Sequence, residues 1–486
     1  MRGPAWACGV RTNVGAASGR GSGWEMGDEM AHDDLGLRSA KQQAAAIAAG
    51  ELSSRELTAH VIDRIERLDG DINAVVTRDF EGALERAGAA DAAQARGDAL
   101  GPLHGVPFTA KDALMTAGIR STGGARELTD NVPDTDAAVV AACRAAGAIV
   151  IGKTNLPRWS ADNQSFNDLF GTTSNPWNLS KVPGGSSGGA AAAAAMGFTS
   201  FEIGTDIGGS IRFPASYNGI WGHKPSFGLI PTTGYLDHVR GGTTEPDINV
   251  FGPLTRSCDD LGLLFDVLAR REAPWVPQLP PAPDDVGSLR VAAWLDDEYC
   301  PADGDVLRVM SAAVGALEGS GVHVDHEARP DIDPLPAWET GMRLVRAAMA
   351  LAGRSEGPSH REWLENHMAR EECRRKWADF FTGYDAILMP VSFHQPFDHM
   401  PEGTFAERRI PANGVERPYI EMTRWTILTG MSYLPATVPP LGLTPQGLPV
   451  GFQVVGPYGG DRTTMALARR IGELTGGYQP PPRALG

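Results

Sequence analysis

The sequence predicts an α/β fold, a single large domain over residues 33–480 in which a central, mostly parallel mixed β-sheet is covered by helices on both faces. Helical and strand-like segments alternate through residues 53–226, the order from which βαβ units are built. The strand-like segments, such as AIVIG at 148–152, are unbroken apolar runs, as strands shielded on both faces require. At 486 residues the chain is long enough to bury so large a core.

Residues 1–32 are rich in Gly, Arg and Ser, show no apolar periodicity and lack the apolar stretch of a secretory signal, so they read as a disordered leader. Order begins near Leu35. Ser53, Ser54, Arg55 and Glu56 form a capping box, and Leu57, Val61, Ile62, Ile65 and Leu68 recur at helical spacing. A short strand at 73–77 and an alanine-rich helix at 81–97 come next. The segment GPLHGVPFTAKD, 101–112, is an apolar strand between turn formers, with Lys111 near its end. A helix at 136–147, with Cys143 on its apolar side, leads into the strand at 148–152. Residues 153–178 are polar and turn-rich, but Trp159, Phe166, Phe170 and Trp177 predict an ordered loop, because left free they would form exposed apolar surface.

Past Ser226 the pattern gives a helix at 257–271, a proline-rich connector at 273–283, and strands at 289–295 and 322–324 around a helix at 305–320. Helices at 336–352 and 368–381, a buried strand at 384–390, strands at 436–441 and 451–455, and a helix at 461–474 complete the chain. The domain core is placed at 70–260 and 385–475, with a variable helical region at 273–430.

The net charge of −16 is spread along the chain and argues against nucleic acid or anionic membrane surfaces as partners. No apolar run reaches the length of a membrane span. Five cysteines without a CxxC exclude a disulfide framework and point to a reducing, cytoplasmic setting. His323 with His326, and His394 with His399, lack the HExxH form, so neither a metal nor a cofactor is expected.

The chemistry concentrates in PGGSSGGAAAAAAMGFTSFEIGTDIGGSIR at 183–212. Six alanines from Ala190 to Ala195 favour helix, which puts Gly184 to Gly189 at a helix N-terminus with free N–H groups. Asp206, Ile207, Gly208, Gly209 and Ser210 form a second loop able to aim successive N–H groups at one point, a nest for negative charge. A phosphate cradle is the rival reading of the first loop, but no GK[ST] follows it. Taken singly, Ser210 reads as a helix cap and Lys111 as a strand-edge charge. Lys111 becomes a base only if burial beside serines strips its charge.

GVPFTAKD around Lys111, GKTN at 152–155, FGTTSNPWN at 170–178, PGGSSGG, GTDIGGSIRFPA at 204–215, GHKPS at 222–226 and PVGFQVVGP at 449–457, in this order and spacing, resemble the amidase signature family. The resemblance spans about 35–474 and is thin over 273–427. It implies the amidase signature fold and a serine amidohydrolase in which Ser210 is acylated, Ser186 bridges through a cis peptide and Lys111 is the base. The family spacing selects Ser186, 24 residues before Ser210, which leaves Ser187 a structural role; sequence alone does not exclude the reverse. The relay works without histidine: neutral Lys111 draws a proton from Ser186, which draws one from Ser210. The N–H groups of Ile207, Gly208, Gly209 and Ser210 would hold the oxyanion, and Asp206 with Arg212 would fix the turn as a buried ion pair.

The helical region and the loops near Trp159 and 231–250 are expected to form the acyl and amine pockets. Arg158 and Trp159 depart from what the family often has after GKTN-x-P, which weakens inference about the substrate. The aromatic content suits aryl amides, anilides or carbamates, with the chain a monomer or homodimer. The alternatives are a glutaminase subunit of a tRNA-dependent amidotransferase, which needs protein partners, and a non-catalytic binding protein of the same fold.

Overall fold

The structure, a computed structural model, describes residues 34–236, 242–269, 278–350 and 357–486. The leader expected at 1–32 lies outside the described residues, as do parts of the connector at 273–283 and the last residues of the helices expected at 257–271 and 336–352.

Two sheets organise the described residues. The smaller joins β1 (Val75–Arg78), β2 (Pro107–Lys111) and β3 (Ile149–Thr154) in the order β1-β3-β2. β2 and β3 are parallel, and β1 runs against β3. Helices Ser54–Leu68 and Phe80–Ala95 bury Leu57, Val61, Ile65, Ala83 and Ala87 in the core beside it. The capping box predicted at Ser53 is present: its hydroxyl accepts from the Glu56 N–H, and the Glu56 carboxylate accepts in return.

The larger sheet has nine strands. These are β4 (Glu202–Asp206), β5 (Trp221–Lys224), β6 (Val250–Thr255), β7 (Val291–Ala293), β8 (Val324–Asp325), β9 (Ala386–Pro390), β10 (Ala436–Val438), β11 (Pro440–Leu443) and β12 (Pro449–Val455). Their order is β8-β7-β9-β12-β10-β5-β6-β4, with β11 paired to β12.

The sheet is mixed and clothed on both faces, as the sequence predicts, but most of its neighbours are antiparallel. Only β7 with β8 and β7 with β9 are parallel there. The reason lies in strand insertion. β4 and β5 do run the same way, as a strand–helix–strand unit demands, yet β6 sits between them and pairs antiparallel with each. Alternation along the chain fixes strand direction within a unit, not which strand later fills the gap.

Successive residues of one strand face opposite cores. Leu388 of β9 joins the cluster under helices Cys258–Leu268, Gly304–Gly319 and Asp461–Thr475. Ile387 and Met389 join the cluster under Gly188–Met196, Arg212–Asn218, Pro334–Ala348 and Arg424–Gly430. The helix expected at 368–381 starts earlier, at His360, because Ser359 and Glu362 make a capping box that the charged stretch conceals. Among the described residues no helix is long and apolar enough to cross a membrane.

Candidate active site

Three elements converge on one point: the end of β2, the loop before helix Gly188–Met196, and the turn after β4. Every residue of that helix is buried, and its alanines leave room for the backbones to close up. Gly185 shows how tight the fit is, since a Cβ there would stand 2.5 Å from the Asn163 carbonyl carbon. The Gly185–Ser186 peptide is cis, as the resemblance implied.

Lys111 is wholly buried. Its Nζ donates to Ser186 Oγ at 2.6 Å, to Thr205 Oγ1 at 2.8 Å and to Ser187 Oγ at 3.1 Å. All three partners are hydroxyls, so no carboxylate is bonded to the amine. Burial brings its pKa down from 10.5 to about 7, against the opposing charges of Glu202 and Asp206. An amine so placed exchanges its proton near neutrality.

The two serines of the pair are held differently. Ser187 Oγ accepts from the Thr205 N–H at 3.2 Å and donates to the Thr205 carbonyl at 3.4 Å, which ties the loop to β4. Ser186 Oγ has no such bond to backbone among the described residues. Thr205 Oγ1 also meets the Tyr235 hydroxyl at 3.0 Å. Sequence reasoning missed Thr205 and Tyr235; the first lies inside the GTDIGGS motif, and nothing in the sequence signals the second.

Asp206 shapes the turn that carries Ser210. Its Oδ1 accepts from the Gly209 N–H at 2.8 Å and from Arg212 Nη2 at 2.9 Å; its Oδ2 accepts from Arg212 Nε at 3.0 Å and from the Ile211 N–H at 3.2 Å. Burial pushes its carboxyl up, and the Arg212 charge and bonds more than reverse that, holding it below the usual carboxylate range. Arg212 Nη1 reaches the Thr426 carbonyl, Thr429 Oγ1 and Gln453 Oε1, each at 2.9 Å. The pair is therefore the buried ion pair predicted.

One expected donor drops out. The Gly209 N–H is already engaged by Asp206, which takes it out of the donor set expected from the sequence. The N–H groups of Ile207, Gly208 and Ser210 donate to no protein acceptor among the described contacts. Gly209 matters through conformation instead: its φ is +128°, and a Cβ there would fall 2.3 Å from the Phe213 ring.

Ser210 is 6 % exposed and lines a cavity of about 610 Å³ together with Ile207 and Gly208. The remaining wall comes from residues 160–163, helix Pro334–Ala348, Phe405, Ala406, Ile420, Thr423 and Ile427. No hydrogen bond joins Ser186 to Ser210 among the described contacts; bonds of this kind often tighten only in the transition-state complex. Trp159 does not line the cavity; its ring lies against Gly123, and Arg158 pairs with Glu127 at the surface. The expected contribution of 231–250 is likewise absent from the wall among the described residues.

Two further motif lysines are buried. Lys153, from GKTN, bonds the Leu114 carbonyl, Thr116 Oγ1 at 2.6 Å and Ser121 Oγ at 3.0 Å. Lys224, from GHKPS, bonds the Leu434 carbonyl at 2.7 Å and the Pro225 carbonyl at 3.0 Å. Both hold loops of the site in place by satisfying backbone carbonyls.

A family model described as Amidase matches residues 56–354 and 339–465. The chain belongs to the amidase signature family. Its sequence is 33 % identical to a subunit of the glutamyl-tRNA(Gln) amidotransferase of Moorella thermoacetica, over 87 % of this chain and 94 % of that protein. Its fold matches a bacterial aryl acylamidase with a TM-score of 0.78 and 25 % identity, over 93 % of this chain and 99 % of that one. A 6-aminohexanoate cyclic dimer hydrolase in complex with its substrate matches with a TM-score of 0.78 and 25 % identity, over 93 % of this chain and all of that one. Like its amidase signature relatives, this protein is a hydrolase acting on the carbon–nitrogen bonds of amides.

Proposed function

We propose that this amidohydrolase works alone, cleaving amides of largely apolar acyl or aryl groups through an acyl-enzyme on Ser210. The observation that carries the serine chemistry is the amine of Lys111 buried among three hydroxyls, a burial that brings its pKa down to about 7. A neutral amine has two N–H donors and one lone pair. Ser187 and Thr205 accept the two donors, and the lone pair takes the Ser186 proton.

Ser186 then draws the proton of Ser210 as its oxygen attacks the substrate carbonyl. The N–H groups of Ile207, Gly208 and Ser210 receive the oxyanion, each such donor contributing about 3 kcal/mol to lowering the barrier. Collapse of the tetrahedral intermediate returns a proton along the same path to the departing amine. Water, activated by the same relay, releases the acyl group as a carboxylic acid.

The cavity wall supports apolar substrates: Trp338, Met342, Val345, Met349, Phe405 and Ile427 dominate it. Anilides and aryl carbamates fit that chemistry. The test is a panel of anilide, aryl carbamate and short aliphatic amide substrates with wild type and Ser210→Ala, alongside fluorophosphonate labelling. Turnover and Ser210 labelling that both vanish in Ser210→Ala support the reading; wild-type activity that survives the substitution defeats it.

A second reading, a glutaminase subunit of a tRNA-dependent amidotransferase, is favoured by the 33 % identity to one component of such an enzyme over nearly its whole length. It requires protein partners. Glutamine hydrolysis that appears only on adding the other components of such an enzyme supports it, whereas turnover of unrelated amides by the isolated chain speaks for the first reading.

A further inference from the structure

The cavity in front of Ser210 is electrostatically lopsided, and hydrolysis itself makes no use of the imbalance. Helix Pro334–Ala348 lays Trp338, Met342 and Val345 along the cavity at helical spacing as an apolar floor. Glu339, Arg343 and Arg346, also on the wall, follow at steps of four and three residues, which sets them along one edge of that floor. Glu339 and Arg343 offset each other across 4.0 Å. Arg343 is further tied to Asn366 Oδ1 at 2.7 Å and Thr340 Oγ1 at 3.0 Å. Asp162, on another part of the wall, is engaged by Arg408 and by the Tyr419 hydroxyl.

Arg346 is the charge left over. It is exposed, it lines the cavity, and it has no hydrogen-bond or ion-pair partner among the described residues. An uncompensated cation at the rim of a pocket stands out in a chain of net charge −16. Toward the reacting end Asn163 lines the same cavity, and its Nδ2 is buried with no hydrogen-bond partner among the described residues. Its backbone abuts Gly185, next to Ser186. A buried amide left unpaired is unfavourable until an acceptor meets it.

We propose that this pocket selects amides with an apolar middle and a carboxylate remote from the scissile bond. Arg346 binds the carboxylate at the rim, and Asn163 hydrogen-bonds an oxygen close to the reacting carbonyl. The inference rests on the amidohydrolase reading above and specifies its substrate class. Neutral amides of the same length lack a partner for Arg346, and cationic ones are repelled by it.

Two matched pairs of probes test it from either side of the bond. On the acyl side, the mono-4-nitroanilide of octanedioic acid is compared with octanoyl-4-nitroanilide; on the amine side, 4-acetamidobenzoate is compared with 4-acetamidotoluene. Wild type should favour the anionic member of at least one pair by about fivefold in kcat/KM, the scale of one solvent-accessible ion pair, mainly through KM. The preference should persist in part in Arg346→Lys, vanish in Arg346→Ala and reverse in Arg346→Glu. Equal rates within both pairs, or the same ratio in wild type and Arg346→Glu, overturn the proposal. Calorimetric binding of the same probes to Ser210→Ala separates the two levels. If wild type hydrolyses none of them, the hydrolytic reading loses its support, while tighter binding of the anionic member still upholds the selectivity and equal binding still refutes it.

Discussion

Arg212 grips Asp206 through two bonds, Nε to Oδ2 at 3.0 Å and Nη2 to Oδ1 at 2.9 Å, with both side chains fully buried. The pair links the turn that bears Ser210 to helix Arg424–Gly430 and strand β12, because Arg212 Nη1 also bonds Thr426, Thr429 and Gln453. Removing one partner strands the other charge in the interior, at a cost of about 3–5 kcal/mol. Arg212→Met should therefore lower the urea midpoint sharply, and Asp206→Asn with Arg212→Met should recover part of the loss. A single variant as stable as wild type would show that the pair does not hold the turn.

Gly208 and Gly209 are adjacent and should respond differently to alanine. At Gly209 the φ of +128° and the Phe213 ring at 2.3 Å leave no room for a methyl group, whereas a Cβ at Gly208 meets nothing nearer than Ile427 Cδ1 at 3.5 Å. Gly209→Ala should lose about 100-fold or more in kcat/KM, equivalent to a single mispositioned oxyanion donor, together with several degrees in Tm. Gly208→Ala should keep its Tm. Thermal scans and fluorophosphonate labelling rates of the two variants decide it; equal effects would mean that the turn is not sterically set at Gly209.

The residues proposed to carry the chemistry are legible because the proposed chemistry restricts them. Lys111, Ser186 and Ser210 sit in motifs whose glycines are needed for backbone approach, and Asp206 with Arg212 reads as a pair because two opposite charges flank Ser210 in an otherwise apolar turn. What escaped the sequence depends on partners distant along the chain. Tyr235 reaches Thr205 from a loop 30 positions away, and Gly209 loses its N–H to Asp206 through a side-chain rotamer. The sheet shows the same limit: β4 and β5 have the direction that alternation implies, and β6, arriving later, decides how they pair. The expected helical region does supply the cavity wall, through helix Pro334–Ala348, and residues 160–163 of the neighbouring loop join it; Trp159 itself does not, because its conformation, with φ near +56°, turns that ring toward Gly123.

Thr205 offers a test of the base that leaves both serines in place. Its Oγ1 accepts from Lys111 at 2.8 Å, a bond that favours the charged amine over the neutral one. Wild type should show kcat/KM rising with pH up to about 7 and level above it, because the relay needs Lys111 unprotonated. Thr205→Val removes the acceptor with little change of shape, so the Lys111 pKa should fall further and the rising limb should move to lower pH. The limb staying in place, with only its height reduced, would remove Lys111 from the role of titrating base.

Buried lysines also leave a mark on stability. Lys111, Lys153 and Lys224 have their pKa values brought down by burial from 10.5 to about 7, about 8 and about 7. For Lys153 the unfolded chain holds one more proton than the fold at pH values between about 8 and 10.5, so its contribution to stability increases with pH across that window. The slope is at most about 1.4 kcal/mol per pH unit for one such group. Lys153→Met, which lies outside the proposed relay, abolishes that term while thiols and other groups titrate as before. Urea unfolding at pH 8 and pH 9.5 should then show wild type gaining on Lys153→Met by about 1 kcal/mol as pH rises, whatever the offset between them at pH 8. A difference independent of pH would mean that Lys153 keeps its proton in the fold, and that the hydroxyls and carbonyl around it stabilise an ammonium rather than a neutral amine.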